Sequence, residues 1–144
     1  MSSSVIQPGD IREVAVIGLG LMGSGIAELI ARSGHHVVAI EIDQSFLDQG
    51  MARLRASLDK AVSRGKLTDT ARDEILARIR PTDDVATGVA GADLVIEAIP
   101  ERIELKKTLF AQLDEACRAH AILATNTSSL SITRSPAARD IRPG

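Results

Sequence analysis

Four glycines fall within eight residues of the stretch VAVIGLGLMGSGIAELI, between two apolar segments near the start of the chain. The first segment, VAVIG, is a short β-branched run without polar alternation, and it predicts a buried strand. A helical pattern then runs from about Met22 to Arg32, with Gly34 as its stop. Since glycine is unfavourable inside regular elements, this pattern indicates that something approaches the main chain between the strand and the helix.

Three of these glycines, Gly18, Gly20 and Gly23, match the pattern G-x-G-x-x-G directly after a strand and at the opening of a helix. In that setting the first glycine permits a tight turn, the second lets a pyrophosphate approach the backbone, and the third allows close helix packing. Free N–H groups and the positive end of the helix dipole then face the phosphates. The alternative is a glycine-rich turn that only permits packing. No Lys-Ser or Lys-Thr pair comes directly after the glycines, which disfavours a nucleoside-triphosphate loop.

An acidic residue supports the dinucleotide interpretation. Glu41 follows Gly18 by 23 residues, at the end of the second apolar run, where this motif requires a carboxylate to accept from a ribose 2′-hydroxyl. A carboxylate there repels a 2′-phosphate, and EIDQSFLD contains no Arg or Lys, so NAD is favoured over NADP. Asp43 competes for this role, although it also fits the N-cap of the next helix.

The rest of the chain alternates between helical patterns and short apolar runs. Helices are expected over 46–65, over 69–80 with Thr68 as its cap, and over 103–119; strands are expected in ADLVIEAIP and AILATN, and a short helix in SSLSITRSPAARD. This alternation predicts an α/β fold of the Rossmann type, doubly wound, with a mainly parallel sheet and an inserted helix pair after the second strand. We expect a polar lead-in over 1–12 and one NAD-binding domain over 13–144.

The composition argues against several classes of partner. A formal net charge of −2, no Trp, no Tyr and two Phe leave little with which to bind nucleic acid. No segment reaches the roughly 18 apolar residues of a membrane span, and the N-terminus lacks the pattern of a secretory signal. The single cysteine, Cys117, excludes an internal disulfide and fits a reducing compartment, so a cytoplasmic location is expected.

Three motifs in this order resemble the N-terminal domain of the L-3-hydroxyacyl-CoA dehydrogenases, including the bacterial 3-hydroxybutyryl-CoA dehydrogenases. They are IGLGLMGSGIA, VIEAIPERIELKK and ATNTSSLSIT, and the resemblance runs from about Glu13 to the last residue. It implies an NAD-dependent oxidoreductase of short or medium 3-hydroxyacyl-CoA, acting in fatty acid metabolism. By the same resemblance, the cofactor-binding loop comprises Gly18, Leu19, Gly20, Leu21, Met22 and Gly23.

The resemblance also implies roles for single residues. Glu41 matches the acid that holds the adenosine ribose, and Glu101 and Lys106 match positions that contact the cofactor, the lysine also lying near the acyl-CoA. Asn126 and Ser128 match catalytic-site residues beside the nicotinamide, Ser128 being expected to hydrogen-bond the substrate's 3-oxygen. Ser57 and Arg64 fall where the family's helix pair touches CoA, with Lys66 as an alternative to Arg64. Considered alone, Glu101 fits a first-turn helix acid, Lys106 a surface lysine, and Ser128 or Ser129 a helix cap.

The resembled family uses a histidine as general base, in a G-x-H-F-F-N-P segment after NTSS, because alkoxide character develops as the hydride departs. The histidines of this chain are His35, His36 and His120, and none follows Ser128. The expectation is therefore a truncated domain that turns over nothing by itself, without the family's C-terminal helical domain, through which the parent would form a homodimer. The alternatives are a stand-alone NAD(H)-binding module and a related dehydrogenase of a small free hydroxy acid.

Overall fold

The computed structural model describes residues 11–99, 103–118 and 121–125, with the backbone alone for 103–106 and 125. In these ranges five strands form one sheet in the order β3-β2-β1-β4-β5, and every neighbouring pair is parallel. The strands are β1 (Glu13–Ile17), β2 (His36–Ile40), β3 (Ile79–Thr82), β4 (Leu94–Glu97) and β5 (Ile122–Thr125). The helices are α1 (Leu21–Arg32), α2 (Gln44–Ser63), α3 (Asp69–Ala77), α4 (Val85–Val89) and α5 (Ile103–Ala116).

Helices cover both faces of this sheet, which confirms the doubly wound α/β prediction. Alternate residues of β1 separate to the two faces, with Val14 and Val16 in one apolar cluster and Ala15 and Ile17 in the other. The first cluster packs against α1, α2 and α3, and the second against α4 and α5. Because both faces are buried, the central strands are continuous apolar runs, as in other parallel sheets.

The register of the sheet brings the carboxyl ends of its strands to one edge. Ile17 pairs with Ile40 on one side and with Glu97 on the other. The segment after β1, the residue after β2 and the segment after β4 therefore emerge side by side. In open parallel sheets this carboxyl edge is where ligands bind.

The inserted helix pair after the second strand is confirmed as α2 and α3. Asp43 caps α2, accepting from the N–H groups of Ser45 at 2.8 Å and Phe46 at 3.3 Å. Thr68 caps α3 as expected, accepting from the Ala71 N–H at 3.0 Å. Arg72 joins the two helices through Asp59, and a hydrogen bond from its guanidinium to Asp73 raises the pKa of this arginine.

The prediction that the second of these helices continues to Arg80 was wrong. It ends at Ala77, and Ile79–Thr82 form β3, a strand that the sequence pattern did not indicate. Pro81 has no N–H to donate to a ladder, so it argues against a central strand, but β3 lies at the edge of the sheet, where proline is tolerated. The short helix α4 was also missed, because five residues are too few to show a helical period.

The later elements are confirmed with shorter bounds than expected. The strand in ADLVIEAIP comprises Leu94–Glu97, the helix after it ends at Ala116, and the strand in AILATN comprises Ile122–Thr125. Cys117 packs against the cluster under α4 and α5. The helix expected in SSLSITRSPAARD lies outside the described residues. Within the described part of the chain, no helix is long and apolar enough to cross a membrane.

Candidate functional site

The turn after β1 requires a glycine at position 18 because of its backbone conformation and its close contacts with the rest of the protein. Gly18 has a φ of +98°, in the left-handed region that side chains disfavour. Its N–H donates to the Ile40 carbonyl at 2.8 Å, which ties the turn to β2. A Cβ on this residue would lie 2.9 Å from backbone atoms of Ala98 and Ile99. The turn is thus held between the ends of β2 and β4.

Gly23 and Gly20 differ in what surrounds them. A Cβ on Gly23 would overlap the carbonyl oxygen of Gly18, so α1 can begin this close to the turn only with glycine there. A Cβ on Gly20 would meet nothing within 4 Å, and Gly20 is exposed. Gly20 is also the N-cap of α1 and has no side chain with which to cap the first turn. The motif therefore leaves exposed backbone at Gly20, at the start of a helix, where an anion can approach.

Glu41 lies against this loop. The half-buried carboxylate follows β2, and its Oε2 accepts from the Leu19 N–H at 2.7 Å. Asp43 instead caps α2 through Oδ1. Of the two acids that the sequence left in competition, the structure brings Glu41 to the glycine loop, defined here as residues 18–20.

A second carboxylate at the same edge was missed by the sequence analysis. Glu97 is the last residue of β4, is fully buried, and accepts from the Ile99 N–H at 2.7 Å through Oε2. This hydrogen bond orders the start of the segment that faces Gly18 and leads toward Glu101. A charged residue at the end of the apolar run ADLVIEAI was the signal available in the sequence.

Large apolar side chains are exposed at this edge of the sheet. Among the described residues, Leu21 is 83%, Met22 57%, Ile42 58% and Phe46 55% exposed. Leu21 and Met22 begin α1, while Ile42 and Phe46 follow β2. Exposed apolar side chains near a helix N-terminus are typical of a binding surface for a partly apolar ligand.

The structure describes some of the other predicted site residues and not the rest. Ser57 is exposed on α2, and Arg64 and Lys66 are exposed just beyond its end, so these candidate CoA residues lie on the inserted helix pair and the turn within it. For Lys106 the structure gives the backbone in α5. Glu101, Asn126 and Ser128 lie outside the described residues.

Two of the histidines lie at the opposite edge of the sheet. His36 is the first residue of β2 and His35 precedes it. The Cα atoms of His36 and Ile40 are about 13 Å apart at the usual rise per strand residue. Neither imidazole can reach a ligand bound beside Gly20.

Comparison with known proteins agrees with this geometry. The family model described as "3-hydroxyacyl-CoA dehydrogenase, NAD binding domain" matches residues 13–140. The chain belongs to this family. NAD is therefore the cofactor of the domain, and the site fits it: open space at Gly20 before a helix N-terminus for the diphosphate, and a carboxylate beside it for the ribose.

Members of this family from several sources resemble the chain over most of its length. It is 48% identical over 124 residues to the 3-hydroxyadipyl-CoA dehydrogenase of Escherichia coli, covering 86% of this chain and 26% of that protein. It is 41% identical over 127 residues to a peroxisomal fatty acid beta-oxidation multifunctional protein of Arabidopsis thaliana, covering 88% and 18%. A crystal structure of (S)-3-hydroxybutyryl-CoA dehydrogenase from Ralstonia eutropha superposes with a TM-score of 0.78 at 36% identity, covering 83% and 42%. The chain thus spans less than half the length of each of these relatives.

Proposed function

We propose that this protein is the cofactor-binding part of an oxidoreductase that transfers a hydride between NAD and C3 of a 3-hydroxyacyl-CoA, such as 3-hydroxybutyryl-CoA. The observation that carries the proposal is the open space at Gly20, between the Glu41-bound Leu19 and the start of α1. Packing within the protein explains Gly18 and Gly23 but leaves Gly20 unexplained. A bound diphosphate explains it.

The adenosine half of the cofactor site is assigned from the described residues. The N–H groups at the start of α1 and the helix dipole bind the diphosphate. One oxygen of Glu41 orders the Leu19 N–H, and the other is available to accept from the ribose hydroxyls. A 2′-phosphate would lie against this carboxylate, so the site selects NAD over NADP. Leu21 and Met22, exposed beside the loop, contact the cofactor's apolar surfaces.

The reacting half is assigned by resemblance alone. Glu101 and Lys106 contact the cofactor, while Asn126 and Ser128 lie beside the nicotinamide, Ser128 donating to the substrate's 3-oxygen. As the hydride leaves C3, the hydroxyl proton must go to a base. His35 and His36 lie at the far edge of the sheet, and none of the three histidines follows Ser128, so we expect the 144-residue chain to bind the dinucleotide without catalysing the reaction by itself.

The acyl-CoA is the proposed partner of the α2–α3 pair. Ser57 is exposed on α2, and Arg64 and Lys66 place two cations at its exposed end. Phosphate groups of CoA require such cations, and basic side chains at a helix C-terminus also complement its dipole. We further propose a cytoplasmic location, a role in fatty acid metabolism, and a homodimer as the parent assembly.

Titration with NADH tests the cofactor assignment. Because the chain has no Trp and no Tyr, the fluorescence of bound NADH is measured without interference from protein emission. We expect NADH to bind at least about tenfold more tightly than NADPH, the difference that about 1.4 kcal/mol provides. Equal affinity for the two would contradict the role given to Glu41.

A chimera tests the reaction. Residues 13–140 would replace the matching segment of the Escherichia coli relative, and oxidation of 3-hydroxybutyryl-CoA would be followed by NADH absorbance. We expect activity in the chimera, and a loss of about a hundredfold in kcat on Ser128→Ala, in the range for removal of one transition-state hydrogen-bond donor. A folded, NADH-binding chimera that is inactive toward 3-hydroxyacyl-CoA would overturn the proposed reaction.

A further inference from the structure

Helix α2 makes a polar contact with the glycine loop that no sequence motif indicates. The guanidinium of Arg53, on the third turn of α2, donates through Nη1 to the Leu19 carbonyl oxygen at 2.8 Å. The Arg53 side chain is partly buried, while neighbouring Arg55 is exposed. A hydrogen bond from a cation to a carbonyl is stronger than one between neutral groups.

Residue 19 is therefore held at both of its backbone polar groups. Its N–H is bound by Glu41 at 2.7 Å and its C=O by Arg53 at 2.8 Å. The Leu19 carbonyl and the Gly20 N–H belong to one peptide plane, and the described part of the chain contains no cis bond. In a trans peptide these two groups point in opposite directions. By holding the carbonyl toward α2, Arg53 directs the Gly20 N–H away from α2.

The approach of α2 to the loop is close at a second point. A Cβ on Gly50 would overlap the Leu19 side chain and lie 2.9 Å from the Leu19 carbonyl oxygen. Gly50 is buried in the middle of α2, where glycine costs about 1 kcal/mol relative to alanine. Gly50, about one turn before Arg53, thus allows α2 to pack closely against Leu19.

We propose that Arg53 is a positioning residue for dinucleotide binding. It acts through the Leu19 carbonyl and sets the orientation of the Leu19–Gly20 peptide, whose N–H belongs to the N-cap residue of α1. The residue orients the binding loop and does not itself contact the cofactor. This inference rests on the NAD binding of the domain and is independent of the proposed acyl-CoA substrate.

The test compares the wild-type chain with Arg53→Met, Arg53→Lys and the matched control Arg55→Met. Dissociation constants for NADH are measured by fluorescence, well below the unfolding temperature of each variant. Amide resonances of Leu19 and Gly20 are recorded by ¹H–¹⁵N NMR without ligand. We expect Arg53→Met to raise the Kd about tenfold, Arg53→Lys to recover most of this loss, and Arg55→Met to change it less than twofold.

The NMR signals distinguish positioning from general stability. Arg53→Met is expected to shift the Leu19 and Gly20 amides before any cofactor is added, whereas Arg55→Met leaves them unchanged. Wild-type affinity with unshifted amides in Arg53→Met would overturn the inference. If Arg53→Met does not fold, Arg53→Gln takes its place, because its shorter, uncharged side chain also removes the cationic donor, and wild-type affinity with unshifted amides in that variant would overturn the inference. Failure of the wild-type chain to bind NADH would instead contradict the cofactor assignment.

Discussion

The amino ends of the strands (the amino edge) and their carboxyl ends (the carboxyl edge) each carry a carboxylate that accepts from backbone N–H. The two carboxylates differ in how many of their oxygens the protein itself uses. At the amino edge, buried Asp93 accepts from the N–H groups of Arg12 at 2.9 Å and Glu13 at 3.1 Å. Its other oxygen pairs with Arg118 at 3.4 Å. At the carboxyl edge, half-buried Glu41 accepts from Leu19 through one oxygen.

The two carboxylates therefore have different roles: Asp93 stabilises the fold, whereas Glu41 can also bind a ligand. Both oxygens of Asp93 are engaged by groups of the protein, so the amino edge is complete without a ligand. Glu41 has one oxygen left to accept from a ligand, and the open space at Gly20 and exposed Leu21 lie beside it. Substitutions at the amino edge should therefore change the free energy of unfolding, and those at the carboxyl edge should change cofactor affinity.

The largest effect is expected within the glycine motif itself. Gly23→Ala introduces a Cβ that overlaps the Gly18 carbonyl oxygen, so α1 must move. We expect the free energy of unfolding to fall by about 3 kcal/mol or more, measured by urea denaturation.

Gly20→Ala is the matched control for this change. Its Cβ meets nothing in the protein, so the free energy of unfolding should fall by less than about 1 kcal/mol. The Kd for NADH should nevertheless rise at least about tenfold, because the methyl group occupies the space assigned to the diphosphate. Similar unfolding curves for the two variants would contradict the distinction between these glycines.

Asp93→Ala tests the amino edge. It removes the acceptor of the Arg12 and Glu13 N–H groups at the start of β1. We therefore expect the free energy of unfolding to fall by about 2 kcal/mol. The Kd for NADH, measured on the folded protein, should change less than twofold. A selective loss of NADH binding would show that this edge is part of the cofactor site.

Glu41→Gln tests the carboxyl edge with little change in shape. Removal of the charge weakens the acceptor offered to the ribose, so the Kd for NADH should rise about tenfold, or 1.4 kcal/mol. The preference for NADH over NADPH should fall at the same time, because the repulsion of a 2′-phosphate is removed. An unchanged preference, measured by fluorescence titration, would remove Glu41 from the ribose site.

The smallest effect is expected at Asp43, two residues after Glu41. Asp43→Ala removes the side-chain acceptor at the start of α2 and should lower the free energy of unfolding by about 1 kcal/mol. Cofactor affinity should stay within about twofold of wild type. A larger loss of affinity than in Glu41→Gln would reverse the roles of the two acids.

Local patterns predicted much of the fold. The apolar runs of β1, β2, β4 and β5, and the caps at Asp43 and Thr68, lie where the sequence indicates, because each signal is contained in a few neighbouring residues. The strand β3 was not predicted, since Pro81 is compatible with a strand only at a sheet edge. An edge position is a property of the whole sheet and leaves no local pattern.

The candidate site divides in the same way. The sequence by itself determined the glycine motif, the two candidate acids Glu41 and Asp43, the expectation of NAD and the resemblance to the family, because these depend on spacing along the chain. Gly50 offered a weaker signal, as an isolated glycine inside a helical pattern. Nothing in the sequence pointed to Arg53.

Only the tertiary structure decided what each of these residues contacts. In the structure Glu41 contacts the glycine loop, whereas Asp43 caps α2. Gly20 is exposed and Gly23 is enclosed. Arg53 of α2 donates to the Leu19 carbonyl. Arg53 and Leu19 are 34 residues apart in the chain. Such contacts depend on how helices dock against a sheet, which is decided by packing between distant segments and not by the pattern within either one.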